Sequence, residues 1–171
     1  MATISKTLAR FVRESPIALT LASPGFDDCP LVLVNDAFSR LTGYPADYAL
    51  GRNCRFLQGS QTEPEARDKL RVAIENQTEA IVPITNYRRD GSKFRNLVFV
   101  FPVFGPGGKM LYMMGSQYDV TAPSRTISPR EYGQILDETI SISNPLLATE
   151  EDLHIDFGNF DPERIADLVK D

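Results

Sequence analysis

An α+β domain on an antiparallel sheet is what this sequence predicts, and three observations predict it. Two short runs rich in β-formers, at 17–22 and 31–34, open the central part of the chain. Stretches with helical spacing and capping residues follow, over 36–76. Three longer strand-like runs at 80–87, 94–104 and 109–119 then come in succession, separated by tight-turn signals as antiparallel neighbours are. The order is strand-strand, three helical pieces, then three strands. It fills about 100 residues, a usual domain size, and gives a five-stranded sheet with short helices on one face.

Each element has its own reason. Ile4, Leu8, Phe11 and Val12 recur at spacings of three and four, so 4–14 is predicted as an amphipathic helix, ended by Pro16. Ser23-Pro24-Gly25 turns the chain after the first strand. A short helix over 36–42 stops at Gly43. Thr62 and Glu65 have capping-box spacing, with Pro64 in the first turn, and the helix they start runs to Asn76 with Ala66, Leu70, Ala73 and Ile74 inward. Arg89-Asp90-Gly91-Ser92 is a hairpin signal, because Asp-Gly accepts positive φ. Gly105-Pro106-Gly107-Gly108 makes the next turn. Beyond Val120 the pattern breaks: Thr121-Ala122-Pro123-Ser124 and Ser128-Pro129 read as linker. Helices are predicted over 129–142 and, with Asp161 as N-cap and Pro162 at its first position, over 161–169; the stretch between carries no ordering signal. The chain divides into a helical segment 1–16, a domain at 17–121 and an extension at 122–171.

Composition excludes several functions. No apolar run approaches the roughly 20 residues that span a membrane, and the N-terminus lacks a signal-peptide apolar region, which predicts a cytoplasmic protein without membrane contact. Cys29 and Cys54 make no disulfide framework, and a bridge between them runs against a reducing cytosol. The single histidine, His154, lies in the tail and is expected to be exposed; it leaves no histidine metal site and no histidine-based triad. Charge is uneven: residues 131–171 hold 11 acidic and two basic residues, a net −9, against +4 for residues 1–130. The commonest meaning of such a run is a solvated acidic tail; the alternative is a tail docked on the basic core or on a partner. Either argues against nucleic-acid binding by the tail.

The most informative stretch is Gly51-Arg52-Asn53-Cys54-Arg55-Phe56-Leu57-Gln58-Gly59. A free cysteine is usually a small packing residue. Here the thiol sits between an amide and a guanidinium, beside apolar residues and a second amide, which also suits a thiol poised against a cofactor. The whole string resembles the flavin-binding loop of LOV domains, the blue-light-sensing branch of the PAS fold. The resemblance runs from about Ala18 to Thr121, through Asn35-Asp36-Ala37-Phe38, Leu41-Thr42-Gly43-Tyr44, Asn86 to Gly91, Asn96-Leu97 and Gly115-Ser116-Gln117.

It implies a PAS/LOV fold with helical extensions at both ends and a flavin, FMN rather than FAD because the pocket is compact. Leu57, Val98, Val100 and Met113 can supply apolar faces for the ring. Asn86, Asn96 and Gln117 carry donors and acceptors suited to its polar edge, with Asn53, Gln58 and Gly115 beside them in the matching motifs. Arg55 and Arg71 match the family's phosphate partners. Arg67 lies on the same helix face as Arg71 and stands where many members are apolar; it is either a third phosphate contact or a solvated residue. The implied mechanism is a reversible bond from Cys54 to flavin C4a under blue light. Gln117 then changes partners, because an unmatched buried donor costs about 1–3 kcal/mol. This is photochemistry serving a switch and no enzyme.

The chain departs from the pattern at several places. Ala18, Ala22 and Cys29 stand where polar residues are common near the flavin, which predicts slowed dark recovery. Met113 replaces an aromatic residue and loosens the wall. Arg95 replaces a tryptophan and is placed outside the sheet, facing a flanking helix or a partner. Pro123 and Pro129 interrupt any continuous output helix, and the remaining residues hold neither a kinase nor a basic recognition helix, so a short LOV sensor is expected, unless the chain is a piece of a longer one. Output would pass through the flanking helices, a homodimer whose contacts change with light, or an unidentified protein partner. The helix at 4–14 either leaves an apolar face for the dimer or covers the domain's own sheet. A redox- or ligand-sensing PAS module without photochemistry is the competing function; a flavin enzyme lacks a nicotinamide motif and an acid/base set.

Overall fold

A computed structural model describes residues 3–121, 127–158 and 160–168. The elements are α1 (Lys6–Glu14), β1 (Ala18–Ala22), β2 (Leu31–Val34), α2 (Asp36–Thr42), α3 (Ala46–Ala49), α4 (Pro64–Asn76), β3 (Ala80–Tyr87), β4 (Lys93–Phe104), β5 (Met110–Asp119), α5 (Pro129–Glu151), β6 (His154–Ile155) and α6 (Ile165–Leu168), with a 3-10 turn at Cys54–Leu57. The five expected strands form an antiparallel sheet in the order β2-β1-β5-β4-β3, so β5 is central. The short β6, from the extension, pairs with the far end of β4 and makes a sixth strand.

The two faces of the sheet have different covers. On the inner face, the 3-10 turn and α4 stand off the strands, with two small apolar clusters, one around Phe38 and Leu57 and the other around Val82, Ile84 and Val98. On the outer face, Leu8 and Val12 of α1 and Leu136, Ile140 and Leu147 of α5 pack on Leu19, Leu97, Phe99, Phe101 and Met114. Covering both faces explains why β4 is buried nearly from end to end instead of alternating. Asn35 fastens the corner where α1, β1 and α2 meet. Its Oδ1 accepts from Leu19 N at 3.1 Å and Phe38 N at 3.0 Å, and its Nδ2 donates to Val12 O at 2.9 Å and Ile17 O at 2.8 Å.

Several expectations need correction. Thr62 and Glu65 form no capping box: Thr62 Oγ1 accepts from Gly59 N and donates to Thr85 O at 2.7 Å, and Glu63 takes the cap position without a side-chain cap bond. The backbone of β3 competes for these side chains and wins. The box is at Ser128 and Glu131, which start α5. That helix runs to Glu151, beyond the predicted end at 142, with Pro145 inside it. An interior proline costs about 3 kcal/mol. Burial of Leu147 and Leu153 offsets that cost, and the Asn144 side chain adds a clamp, accepting from Ile155 N at 2.8 Å and donating to Ile155 O at 2.9 Å. The stretch without an ordering signal therefore holds a helix end and β6.

The acidic extension is docked rather than solvated. Glu151 Oε1 accepts from Thr7 N at 3.0 Å and Glu150 Oε2 from Thr7 Oγ1 at 2.8 Å, placing carboxylates at the positive N-terminal end of α1. The helix expected over 161–169 is divided: three residues, Pro162–Arg164, form a 3-10 turn and α6 begins at Ile165; Asp161 Oδ1 accepts from Glu163 N as the cap of the turn. His154 is exposed as expected, but within a strand. The linker expected at Ala122, Pro123 and Ser124, and Val169, lie outside the described residues.

Candidate functional site

Between the inner face of the sheet and the helical cover lies a cavity of about 590 Å³, within the range of small-molecule sites. Strand periodicity supplies one wall. Asn96, Val98 and Val100 alternate along β4, while Met113, Gly115 and Gln117 alternate along β5, with Val98 paired to Gln117 and Val100 to Gly115. Asn86 joins them from β3. Asn53, Cys54, Arg55, Leu57 and Gln58, in and beside the 3-10 turn, line the opposite side, and Arg67 and Arg71 come from α4. Every residue singled out from the sequence for flavin contact thus meets the same cavity. Sequence reasoning missed Thr20, Phe26, Leu70, Ile74 and Ile84, which line it too; Leu70 and Ile74 carried only a helix-face signal. Ala22 and Cys29 line the cavity, whereas Ala18 packs in the cluster of Phe38 and Leu57.

The polar groups are unequally occupied. Asn96 Nδ2 donates to Asn86 Oδ1 at 2.9 Å, and Asn96 Oδ1 accepts from Tyr118 N at 3.2 Å, so the two asparagines form a chain anchored in the sheet. Gln117 Oε1 is buried and has no hydrogen-bond partner among the described residues. A buried acceptor left so costs about 1–3 kcal/mol, which a ligand donor would recover. Beside it, Gly115 keeps the wall thin: a Cβ there would lie 2.6 Å from Thr20 Oγ1 and 3.1 Å from Gln117 Nε2. Apolar strand residues, an amide edge and a missing Cβ suit a flat ring with a polar rim. At the mouth, Arg55 pairs with Asp28, and Arg71 with Glu75 at 3.1 Å, while Arg67 makes no ion pair among the described residues.

Burial pushes the Cys54 thiol up to about 12, and the neighbouring Cys29 adds to the rise. Cys54 therefore holds its proton at neutral pH, in contrast to nucleophilic cysteines that work as thiolates. On the outer face, Tyr132 of α5 donates its hydroxyl to Gln117 O at 3.1 Å and bonds to Ser116 Oγ. Since the Tyr132 proton points to the carbonyl, Ser116 is the donor of the second bond. Burial pushes the Tyr132 phenol well above its ordinary range, so it stays a neutral donor. The sequence places Tyr132 only within the helix predicted over 129–142, with no signal for this contact. Arg95 pairs with Glu63 at the start of α4.

A PAS domain profile matches residues 20–122. The Erythrobacter litoralis protein "Blue-light-activated histidine kinase 1" is 45% identical over 109 residues, which are 64% of this chain and 30% of that protein. The Listeria monocytogenes "Blue-light photoreceptor" is 34% identical over 139 residues, covering 81% of this chain and 54% of its own. The chain thus spans less than a third of the first and about half of the second. Among solved structures, the Rhodobacter sphaeroides LOV protein is 31% identical and superposes with TM-score 0.75 over 86% of this chain and 85% of its own. A solved RsLOV variant covers 96% of this chain and 94% of its own at TM-score 0.81 and 31% identity, so the likeness extends into the helices on the outer face. The chain belongs to the PAS domain family and, within it, to the LOV domains, the flavin-binding branch that senses blue light. Among the described residues, no helix is long and apolar enough to cross a membrane.

Proposed function

We propose that this chain is a blue-light switch in which Cys54 bonds reversibly to bound FMN and Gln117 passes the change to α5. The observation that carries the reading is one cavity holding both the protonated Cys54 thiol and the unpartnered amide oxygen of Gln117. When bound, the flavin supplies blue-light absorption and a ring carbon, C4a, open to a thiol. Cys54 brings both sulfur and proton, because burial keeps the thiol un-ionised in the dark. Gln117 can offer its amide as donor or acceptor, so it follows a change of protonation at the ring edge by changing partners. Arg55, Arg67 and Arg71, at one mouth of the cavity, suit a single terminal phosphate, which favours FMN over a dinucleotide.

Output leaves through the outer face. Gln117 O and Ser116 Oγ are held by Tyr132, so a shift of β5 loads α5 directly. The chain's own sheet and α5 cover the apolar face of α1, so the homodimer contact we infer uses Ile142 and Leu146, which α5 exposes by 76% and 43%. The test is an absorbance spectrum before and after a blue flash, with Cys54→Ala alongside. Reversible loss of the blue band that vanishes in the variant is the expected result. A bound flavin that does not bleach in the parent chain refutes the reading and leaves a PAS sensor without this photochemistry.

A further inference from the structure

We infer that Cys29 and Cys54 are a redox pair that closes to a disulfide when a low-molecular-weight disulfide of the glutathione class is present, taking Cys54 out of photochemistry. The second half of this statement rests on the reading of Cys54 above.

Chain geometry brings the two cysteine-bearing segments side by side. Leu31 N donates to Arg52 O at 2.8 Å and Gly51 N donates to Leu31 O at 2.9 Å, which brackets the two segments at one end. At the other end Asn53 Nδ2 donates to Asp28 O at 2.7 Å, and the Arg55 guanidinium pairs with the Asp28 carboxylate. Between these brackets lie Cys29 on one segment and Cys54 on the other. Both are free, both are half-buried and both line the cavity. Asp28 and Cys29 have positive φ, 66° and 46°, a conformation that non-glycine residues seldom adopt and that costs about 1 kcal/mol or more. The local backbone is thus held in an uncommon shape that keeps Cys29 on the cavity wall. A bridge requires facing β-carbons within about 4.5 Å; the backbone sets that spacing, the ties at both ends hold the two segments close, and rotation about χ1 then moves only the sulfurs.

The exchange balances in two steps. The Cys29 thiolate attacks one sulfur of the small disulfide, forming a mixed disulfide and releasing one small thiol. The Cys54 thiolate then displaces the second small thiol from Cys29. The protein pair loses two electrons and two protons; the small disulfide gains both and leaves as two thiols. Burial raises both protein thiols, so the exchange is slow at neutral pH and quickens as pH rises. A reductant of the dithiol class reverses it.

The experiment uses the full flavin-loaded chain, incubated with glutathione disulfide at mildly alkaline pH, then denatured, alkylated and weighed intact. The expected product takes up no alkylating agent, is lighter than the untreated chain by two hydrogens, and regains both alkylation sites after a dithiol. Loss of blue-light bleaching should follow the loss of free thiols with the same time course. In Cys29→Ser, Cys54 should stay alkylatable throughout. Two alkylatable thiols after oxidant, or a glutathionyl group on Cys29 with Cys54 still free, overturns the pair. If the bridge forms but the reduced chain never bleaches, the pair stands and the photochemical reading of Cys54 fails instead.

Discussion

Tyr132→Phe removes one oxygen atom and tests how the cavity is coupled to α5. In the parent chain that oxygen donates to Gln117 O at 3.1 Å and accepts from Ser116 Oγ, both in the buried interior of the outer face. The phenylalanine ring keeps the packing, since Tyr132 lies 4.6 Å from the Tyr118 ring centre and 5.8 Å from that of Phe99. What remains is a buried hydroxyl and carbonyl each short of a partner, a cost of about 1–3 kcal/mol. Because every 1.4 kcal/mol is tenfold, opening of α5 should become about 5- to 150-fold more frequent. Hydrogen exchange of the α5 amides in the dark reads that change directly. Flavin content and light-driven bleaching should be unchanged, because the hydroxyl lies on the face of the sheet away from the cavity. Illumination should raise α5 exchange in the parent chain and raise it less in the variant, whose latch is already open. Dark exchange equal to the parent's would refute the latch, and loss of flavin would show that the two faces are not separable in this way.

Three further outcomes follow from the same structure. Gly115→Ala should weaken flavin binding, since its Cβ would meet Thr20 Oγ1 at 2.6 Å and cost about 1–3 kcal/mol; titration of the apoprotein with FMN measures it, and Thr20→Ala should relieve part of the loss. Partial burial opposes ionisation of Glu63, but bonds from the Thr85 backbone and hydroxyl, together with Arg95, outweigh it and hold the carboxyl at about 2. Its folded value is below the unfolded one, so this stabilisation is complete above about pH 4.5 and is lost as pH falls toward 2; with a side chain 39% exposed it amounts to about 1 kcal/mol, and urea midpoints of the parent and Glu63→Gln chains across that window should converge in acid. Cys29→Asn should speed dark recovery by restoring a polar group on the cavity wall, followed by return of the blue band; an unchanged rate removes that explanation, whereas Ala18→Asn is a poor test because it would bury an amide among Phe38 and Leu57.

The cavity was legible because its walls are written in short-range code. Alternation along β4 and β5 assigns Asn96, Val98, Val100, Met113, Gly115 and Gln117 to one face, and the nine-residue loop carries its chemistry in sequence. The extension was not legible for equally physical reasons. Asn144-Pro145 is a sound local signal for a helix end, and only burial of Leu147 with the side-chain clamp on Ile155 overrides it. Thr62 was misread as the capping partner of Glu65 because the group it bonds, Thr85 O, is more than 20 residues away, as is the Thr85 N that Glu63 accepts from. Acidity left a solvated and a docked tail both open, and the place of docking, where Glu150 and Glu151 meet the N-terminal end of α1, is visible only after folding.

Under the proposed reading, signalling would rest on the two-residue period of a strand. Gln117 turns its side chain into the cavity, and its neighbour Ser116 turns outward to Tyr132. The Gln117 carbonyl is itself bonded to Tyr132, so one peptide unit touches both the cofactor side and the helix side. The central place of β5, paired with both β1 and β4, holds that peptide from two directions and leaves few ways to move except along the axis that joins the two faces. If the Gln117 amide rotates as proposed, its shortest physical path to the outer face runs through Tyr132. The same geometry lets the proposed signal reach α5 across the sheet, through Tyr132, without a helix that continues from β5.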